Sequence, residues 1–147
     1  MSQRVDFYVL NENSGRDRFA CSIAQRAWQA GNTVYIQTGT HDTAVRLDDL
    51  LWMFNDISFV PHALARTAEA DSVDVVIGWQ ESDPRPFSTL INLAQDIPGN
   101  AGNYERVVEI VAGNTDERAL ARSRYKRYRE RGCELYNHTI TKNYDHS

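Results

Sequence analysis

Hydrophobic residues along the chain follow two spacings, one typical of β-strands and one typical of α-helices. Short runs rich in β-branched and aromatic residues predict five strands, at Val5–Leu10, Thr33–Thr38, Ser72–Trp79, Phe87–Ala94 and Arg106–Ala112. Helical patterns predict three helices, at Arg16–Ala30, at Thr43–Phe54, and from Asn114 or Thr115 to Arg131. The first four elements alternate strand, helix, strand and helix, which indicates a parallel sheet with helical crossovers.

The sequence lacks the nucleotide-binding motifs that often accompany such a fold. Neither G-x-x-x-x-G-K-[ST] nor G-x-G-x-x-G follows the first predicted strand, where the sequence reads NENSGRD. The segment PGNAGN at 98–103 has no lysine and is interpreted as a turn. Because there is no internal repeat and no plausible linker, we predict one domain over residues 1–147, with a frayed end.

Positive charge is concentrated in one segment of an otherwise acidic chain. The 147 residues contain 16 Lys and Arg against 20 Asp and Glu, a formal net charge of -4. Residues 118–131 hold seven basic side chains and one acidic one, so the other 133 residues carry a charge of -10. This distribution favours a local anionic partner, and the alternative is an ordinary solvated helix face.

The third predicted helix sorts its side chains onto different faces. One face, which we call the basic stripe, covers about 100° of arc and consists of Arg118, Arg122, Tyr125, Lys126 and Arg129. We predict that the sheet is faced by Leu120, Ala121 and Tyr128. The charged ends of the flanking side chains are predicted to reach water, at Arg124, Arg127 and Arg131. The stripe could bind single-stranded nucleic acid or an acidic peptide, and its single tyrosine favours the peptide.

A second candidate surface lies around the end of the second predicted helix. Met53 and Phe54 are assigned to the core. Trp52 and Phe59 flank a polar turn beside Pro61, and they could form an exposed aromatic patch for a partner protein.

Patterns for catalysis, metal binding and membrane insertion are weak. The pair His41-Asp42 has no further histidine at metal-binding spacing, so Asp42 is interpreted as a helix cap. The two cysteines lie far apart and are interpreted as reduced. No apolar run approaches the length of a membrane span. We therefore expect a cytoplasmic protein that is not an enzyme and needs no metal or cofactor.

Four segments together resemble the chi subunit family of bacterial DNA polymerase III. They are FYVL near the start, RLDDLLW and SFVPH in the middle, and LARSRYKRYRERG near the end. The resemblance extends over essentially the whole chain, and SFVPH with the RYKxYR block at 124–129 is its most specific part. It implies an α/β fold, a three-layer Rossmann-like domain with a mostly parallel central sheet and no phosphate-binding loop, in agreement with the predicted element order.

The resemblance also implies a role in replication without catalysis. Proteins of this family bind the acidic C-terminal tail of single-stranded DNA-binding protein and link it to the psi subunit, and so to the clamp loader. The tail-binding residues by resemblance are Val111, Arg122, Tyr125 and Lys126, and the psi-facing residues are Trp52, Phe59 and Pro61. Contact with DNA would then be indirect. Two alternatives stay open: a helicase-like partner at the psi-facing surface, and direct binding of single-stranded nucleic acid by the basic stripe.

Overall fold

The computed structural model describes residues 3–11, 15–54, 60–80 and 86–140. Its strands are β1 (Arg4–Leu10), β2 (Val34–Gln37), β3 (His62–Leu64), β4 (Val75–Gly78), β5 (Thr89–Asn92), β6 (Arg106–Val111) and β7 (Glu134–Ile140). Its helices are α1 (Arg16–Gln29), α2 (His41–Phe54) and α3 (Thr115–Glu130). The five predicted strands and the three predicted helices are confirmed. Four of these strands are shorter than predicted and β1 begins one residue earlier, whereas β3 and β7 were not predicted.

The seven described strands form one parallel sheet, in the order β3-β4-β2-β5-β6-β1-β7. One face of the sheet packs against α1 and α2, whose Phe19 and Leu47 are fully buried there. The other face packs against α3, through Ala121 and Tyr128. This three-layer arrangement confirms the predicted Rossmann-like fold. Because α3 connects β6 to β7 across β1, it lies over the end of the sheet that β7 closes.

Alternate residues of β6 fill the two faces of the sheet. Val108 and Ile110 pack on the side of α1 and α2, whereas Val107 and Val111 pack on the side of α3, and all four are buried. Full burial of each such side chain contributes about 1.5–3 kcal/mol. Glu109 interrupts this pattern, since it is fully buried between the sheet and α3.

Side-chain caps define where two of the helices begin. The Thr40 hydroxyl accepts a hydrogen bond from the Thr43 backbone N–H at 3.1 Å, at the start of α2. The prediction that Asp42 caps this helix is therefore wrong, because the helix begins at His41, two residues before its predicted start, and Asp42 lies inside it. In α3 the Asn114 side chain accepts from the Glu117 N–H at 2.8 Å. Such caps contribute about 0.5–2 kcal/mol each.

A buried carboxylate anchors β7 to the sheet. β7 pairs with β1 along its whole length, and its His138 lies 2.9 Å from the Asp6 carboxylate. Arg4 and Arg106 donate to the same carboxylate at 2.9 and 2.8 Å. Burial raises the pKa of Asp6, but the hydrogen bonds from Arg4, His138 and Arg106 outweigh burial and lower this pKa from 3.8 to about 2.

We predict that Asp6→Asn lowers the free energy of unfolding at pH 7 by about 2–3 kcal/mol, the usual contribution of hydrogen bonds to a charged group. The folded-state pKa of Asp6 is depressed, so its stabilisation is complete above about pH 4 and disappears as the pH falls toward 2. Urea unfolding between pH 2 and pH 7 should therefore show the difference from wild type narrowing below pH 4. Asp71→Asn, at an exposed site, is the control. A difference that stays constant down to pH 2 would contradict the prediction.

Candidate functional site

A cleft of about 370 Å³ opens on the α3 side of the sheet, near the carboxyl ends of β1, β6 and β7. Its floor consists of Phe7, Val9, Val111, Asn137 and Thr139. In the register of the sheet, Val9 lies between Val111 and Thr139, and Phe7 lies beside Asn137. The floor is therefore apolar on β1 and β6 and polar along β7.

The first three turns of α3 form the wall of this cleft. The lining side chains are Arg118, Ala121, Arg122 and Tyr125, which share one face because they lie three and four residues apart. Arg118 and Arg122 are exposed, whereas Ala121 is buried. The cleft therefore combines a largely apolar floor with two guanidinium groups that remain in contact with water.

Tyr125 connects the wall to the floor. Its ring meets the Phe7 ring edge to face, with 5.2 Å between centroids. Its hydroxyl accepts a hydrogen bond from the Asn137 side chain at 3.2 Å. Tyr125 thereby joins α3 to both β1 and β7, the two strands on which the cleft depends.

A buried polar network holds α3 on the sheet. Arg124 donates from Nε to one oxygen of Glu109 at 3.0 Å and from Nη1 to the Gln95 carbonyl at 2.9 Å. The other oxygen of Glu109 accepts from the Tyr128 hydroxyl at 2.7 Å and from Asn92 at 2.9 Å. We call these four side chains, Glu109, Arg124, Tyr128 and Asn92, the Glu109 network. Every one of them is at least nine-tenths buried.

The ionisation of the Glu109 network follows from its geometry. Burial raises the pKa of Glu109, and Arg124 acts in the opposite direction. Burial and the neighbouring Glu109 carboxylate also raise the pKa of Tyr128, so its hydroxyl keeps its proton and donates. Arg124, Tyr128 and Asn92 all donate hydrogen bonds to the Glu109 carboxylate. An ionised carboxylate can only accept hydrogen bonds, so this arrangement fits an ionised Glu109.

Two predictions about the faces of α3 are wrong. Arg124, expected to reach water, is only 4% exposed because Glu109 binds it inside the protein. Leu120, expected to face the sheet, is 41% exposed because the sheet-facing stripe is centred on Ala121, Arg124 and Tyr128 and leaves Leu120 at its margin. The predicted exposure of Arg127 and Arg131 is confirmed.

The structure brings together three of the four residues expected to bind a peptide tail. Val111, Arg122 and Tyr125 line the cleft, whereas Lys126 is exposed next to it on α3 and does not line it. Arg118 lies in the cleft as well, although only its place on the basic stripe was recognised from the sequence. The floor residues Asn137 and Thr139 were missed because β7 was not predicted.

The second candidate surface is at the opposite edge of the sheet, where α2 packs beside β3. Trp52 is 58% exposed, as expected for an aromatic patch. Met53 is 71% exposed, so its assignment to the core is wrong, since it lies on the outer side of the last turn of α2. Pro61 is half-buried, and Phe59 lies outside the described residues. The Trp52 ring rests against the buried His62 ring, with 4.9 Å between centroids.

Other candidate chemistry finds no support in the part of the chain that the structure describes. There, no three His, Cys, Asp or Glu side chains come together as a metal site would need. His41 instead contacts the Trp79 ring edge to face, at 4.6 Å. None of the described helices is both long and apolar enough to cross a membrane.

Together, the fold and the cleft define a class of protein. It is an α/β domain of the nucleotide-binding type that carries no phosphate-loop motif and instead has an apolar cleft with a basic wall, suited to binding an anionic group with an apolar portion.

Comparison with known proteins identifies the family. The family model described as DNA polymerase III chi subunit, HolC, matches residues 1–136. A DNA polymerase III subunit chi from Pseudomonas aeruginosa is 36% identical over 93% of this chain and 96% of its own length. The corresponding protein from Escherichia coli is 33% identical over 90% of this chain and 95% of its own length. The protein from Haemophilus influenzae is 29% identical over 95% of this chain and 99% of its own length. The chain belongs to the chi subunit family of DNA polymerase III, whose members are replication accessory subunits. The resemblance found in the sequence is confirmed.

We predict that Arg124→Met lowers the free energy of unfolding by about 3–5 kcal/mol, because it leaves the buried Glu109 carboxylate without its ionic partner. Arg127→Met changes the same residue type on the exposed side of the same helix and should change stability by less than about 0.5 kcal/mol. Chemical unfolding of both variants measures the contrast. Equal stability of the two variants would show that the Glu109 network contributes little.

Proposed function

We propose that this chain is a non-catalytic adaptor in replication. The cleft beside α3 binds the acidic C-terminal tail of single-stranded DNA-binding protein, and the surface around Trp52 binds the psi subunit and so the clamp loader. The observation that carries the proposal is the pairing, in one cleft, of an apolar floor with Arg118 and Arg122. A terminal aromatic residue has both chemistries, since its ring is apolar and its carboxylate is anionic.

The chemistry of the cleft supports such a ligand. A volume of about 370 Å³ exceeds that of one aromatic side chain and leaves room for the adjoining backbone. A guanidinium group can bind a carboxylate through two parallel hydrogen bonds, which gives both energy and orientation. Lys126 and Arg129 continue the positive surface along α3 and would attract the acidic residues that precede the terminus.

The positions of the two surfaces support a bridging role. The cleft is at the β7 edge of the sheet, and Trp52 is beside β3 at the other edge. Six strand spacings separate β3 from β7, which corresponds to roughly 30 Å. The two partners would therefore bind without competing for space.

The experiment that tests tail binding is a titration with a fluorescent peptide carrying the tail sequence, at low and moderate salt. A peptide without its terminal phenylalanine is the control for the floor, and a single-stranded oligonucleotide is the control for general anion binding. We expect saturable binding of the complete peptide only, weakened by salt. Oligonucleotide binding with a steep salt dependence and no peptide binding would instead favour the nucleic-acid alternative.

For individual side chains, we predict that Arg122→Ala weakens tail binding about 10- to 100-fold, the equivalent of losing charge-assisted hydrogen bonds of about 1.5–3 kcal/mol. Lys126→Ala should weaken binding only about 2- to 5-fold, because an exposed charge outside the cleft contributes less. Arg127→Ala is the matched control on the same helix. An effect of Arg122→Ala no larger than that of Arg127→Ala would remove the cleft as the binding site.

For the second surface, we predict that Trp52→Ala lowers the affinity for psi at least about 10-fold, as large exposed aromatic residues often dominate interfaces. Its affinity for the tail peptide should not change. Tyr136→Ala, which also removes an exposed aromatic ring but at the β7 edge, is the control. If the affinity for psi survives Trp52→Ala, and a helicase-like protein loses binding instead, then the partner assignment is wrong.

A further inference from the structure

The rotation of α3 about its own axis decides which side chains line the cleft. Ala121, Arg124 and Tyr128 face the sheet, and the cleft-lining side chains Arg118 and Arg122 lie about a quarter turn further around the helix. A modest rotation of the helix would therefore carry both guanidinium groups away from the apolar floor. Whatever fixes this rotation also fixes the geometry of the cleft.

The apolar contacts between α3 and the sheet come from few side chains. Of its three buried residues only Ala121 is aliphatic, and it offers a single methyl group to the sheet. The aromatic contacts of the helix converge on one ring, since Tyr125 and Tyr128 both meet Phe7 edge to face, at 5.2 and 5.9 Å. Such contacts change gradually with angle, so they tolerate rotation better than hydrogen bonds do.

The Glu109 network, by contrast, is directional. Each carboxylate oxygen of Glu109 receives a donor from α3, Arg124 on one and Tyr128 on the other. These two donors lie four residues apart, so rotating the helix would break both bonds at once. Asn92 on β5 holds the carboxylate from the sheet side at 2.9 Å, which keeps Glu109 from following the helix.

We infer that Glu109 is a positioning residue for the cleft, which acts through Arg124 and Tyr128 to set the rotation of α3 and thereby places Arg118, Arg122 and Tyr125 over the apolar floor. Its effect on tail affinity rests on the proposed function, whereas its effect on the cleft itself does not. Buried ionic groups of this kind can be replaced by apolar residues without loss of stability, so stability and positioning can be separated.

The test is a triple variant, Glu109→Leu with Arg124→Leu and Tyr128→Phe, which replaces the network by apolar side chains. Asn92 keeps its bond to the Asp96 carbonyl at 3.2 Å, so the variant does not leave that side chain without a partner. We expect a melting temperature within about 5 °C of wild type. We expect tail affinity to fall by about 10-fold, together with weaker discrimination against the peptide that lacks its terminal phenylalanine.

Methyl NMR gives a readout that does not depend on the tail. Val9 and Val111 line the cleft together with the rings of Phe7 and Tyr125, so the chemical shifts of their methyl groups respond to ring currents when α3 moves. In the triple variant these resonances should shift or broaden as α3 samples other rotations. If the wild type binds no tail, the proposed function fails, and the methyl spectra still decide whether Glu109 positions the helix.

The control is Ile36→Ala, a fully buried change on the face of the sheet away from α3. It should lower the melting temperature without moving the Val9 and Val111 resonances or the tail affinity. A triple variant with wild-type methyl spectra would overturn the inference. A triple variant that does not fold would overturn it too, because the network would then be needed to dock the helix at all and not to set its rotation.

Discussion

The buried ion pair between Glu109 and Arg124 is the central polar contact between α3 and the sheet, and the shape of the cleft follows from how α3 lies there. A helix with six basic residues along its length would normally be a poor element to dock on an apolar sheet, since charged side chains lose their hydration when buried. Here one of those basic residues, Arg124, is buried and forms an ion pair with Glu109, which is fully buried on β6. The remaining cations stay exposed, because α3 buries only a narrow face, made of Ala121, Arg124 and Tyr128.

The charges at the two ends of α3 match the helix dipole. Asp116 and Glu117 lie in the first turn, and Arg127 and Arg129 lie in the last turn, so each end of the helix carries the charge that its dipole favours. The rest of the chain carries a net negative charge, so the positive charge is concentrated at the basic stripe. An anionic ligand would thus be steered to one place on the surface, and a long polyanion would meet repulsion beyond it.

Features set by local sequence could be predicted, and features set by distant partners could not. The helices and the exposed basic stripe follow from spacing within one segment, so their prediction held. The burial of Arg124 depends on Glu109, which the fold brings to it from another element, and the charge of Arg124 alone argued for exposure. β7 is rich in polar residues and has few β-branched ones, so its sequence does not predict a strand. It becomes a strand because it pairs with the edge of β1 and because Asp6 binds its His138.

Under the proposed function, the cleft takes the place of a phosphate loop. In nucleotide-binding α/β domains, glycines let backbone N–H groups approach an anion at the start of a helix. The wall of the cleft is instead the side of α3, where Arg118 and Arg122 lie beside a largely apolar floor. Long side chains reach a ligand from further away than backbone N–H groups do, and each can be changed by a single substitution. Recognition built on charged side chains is sensitive to salt.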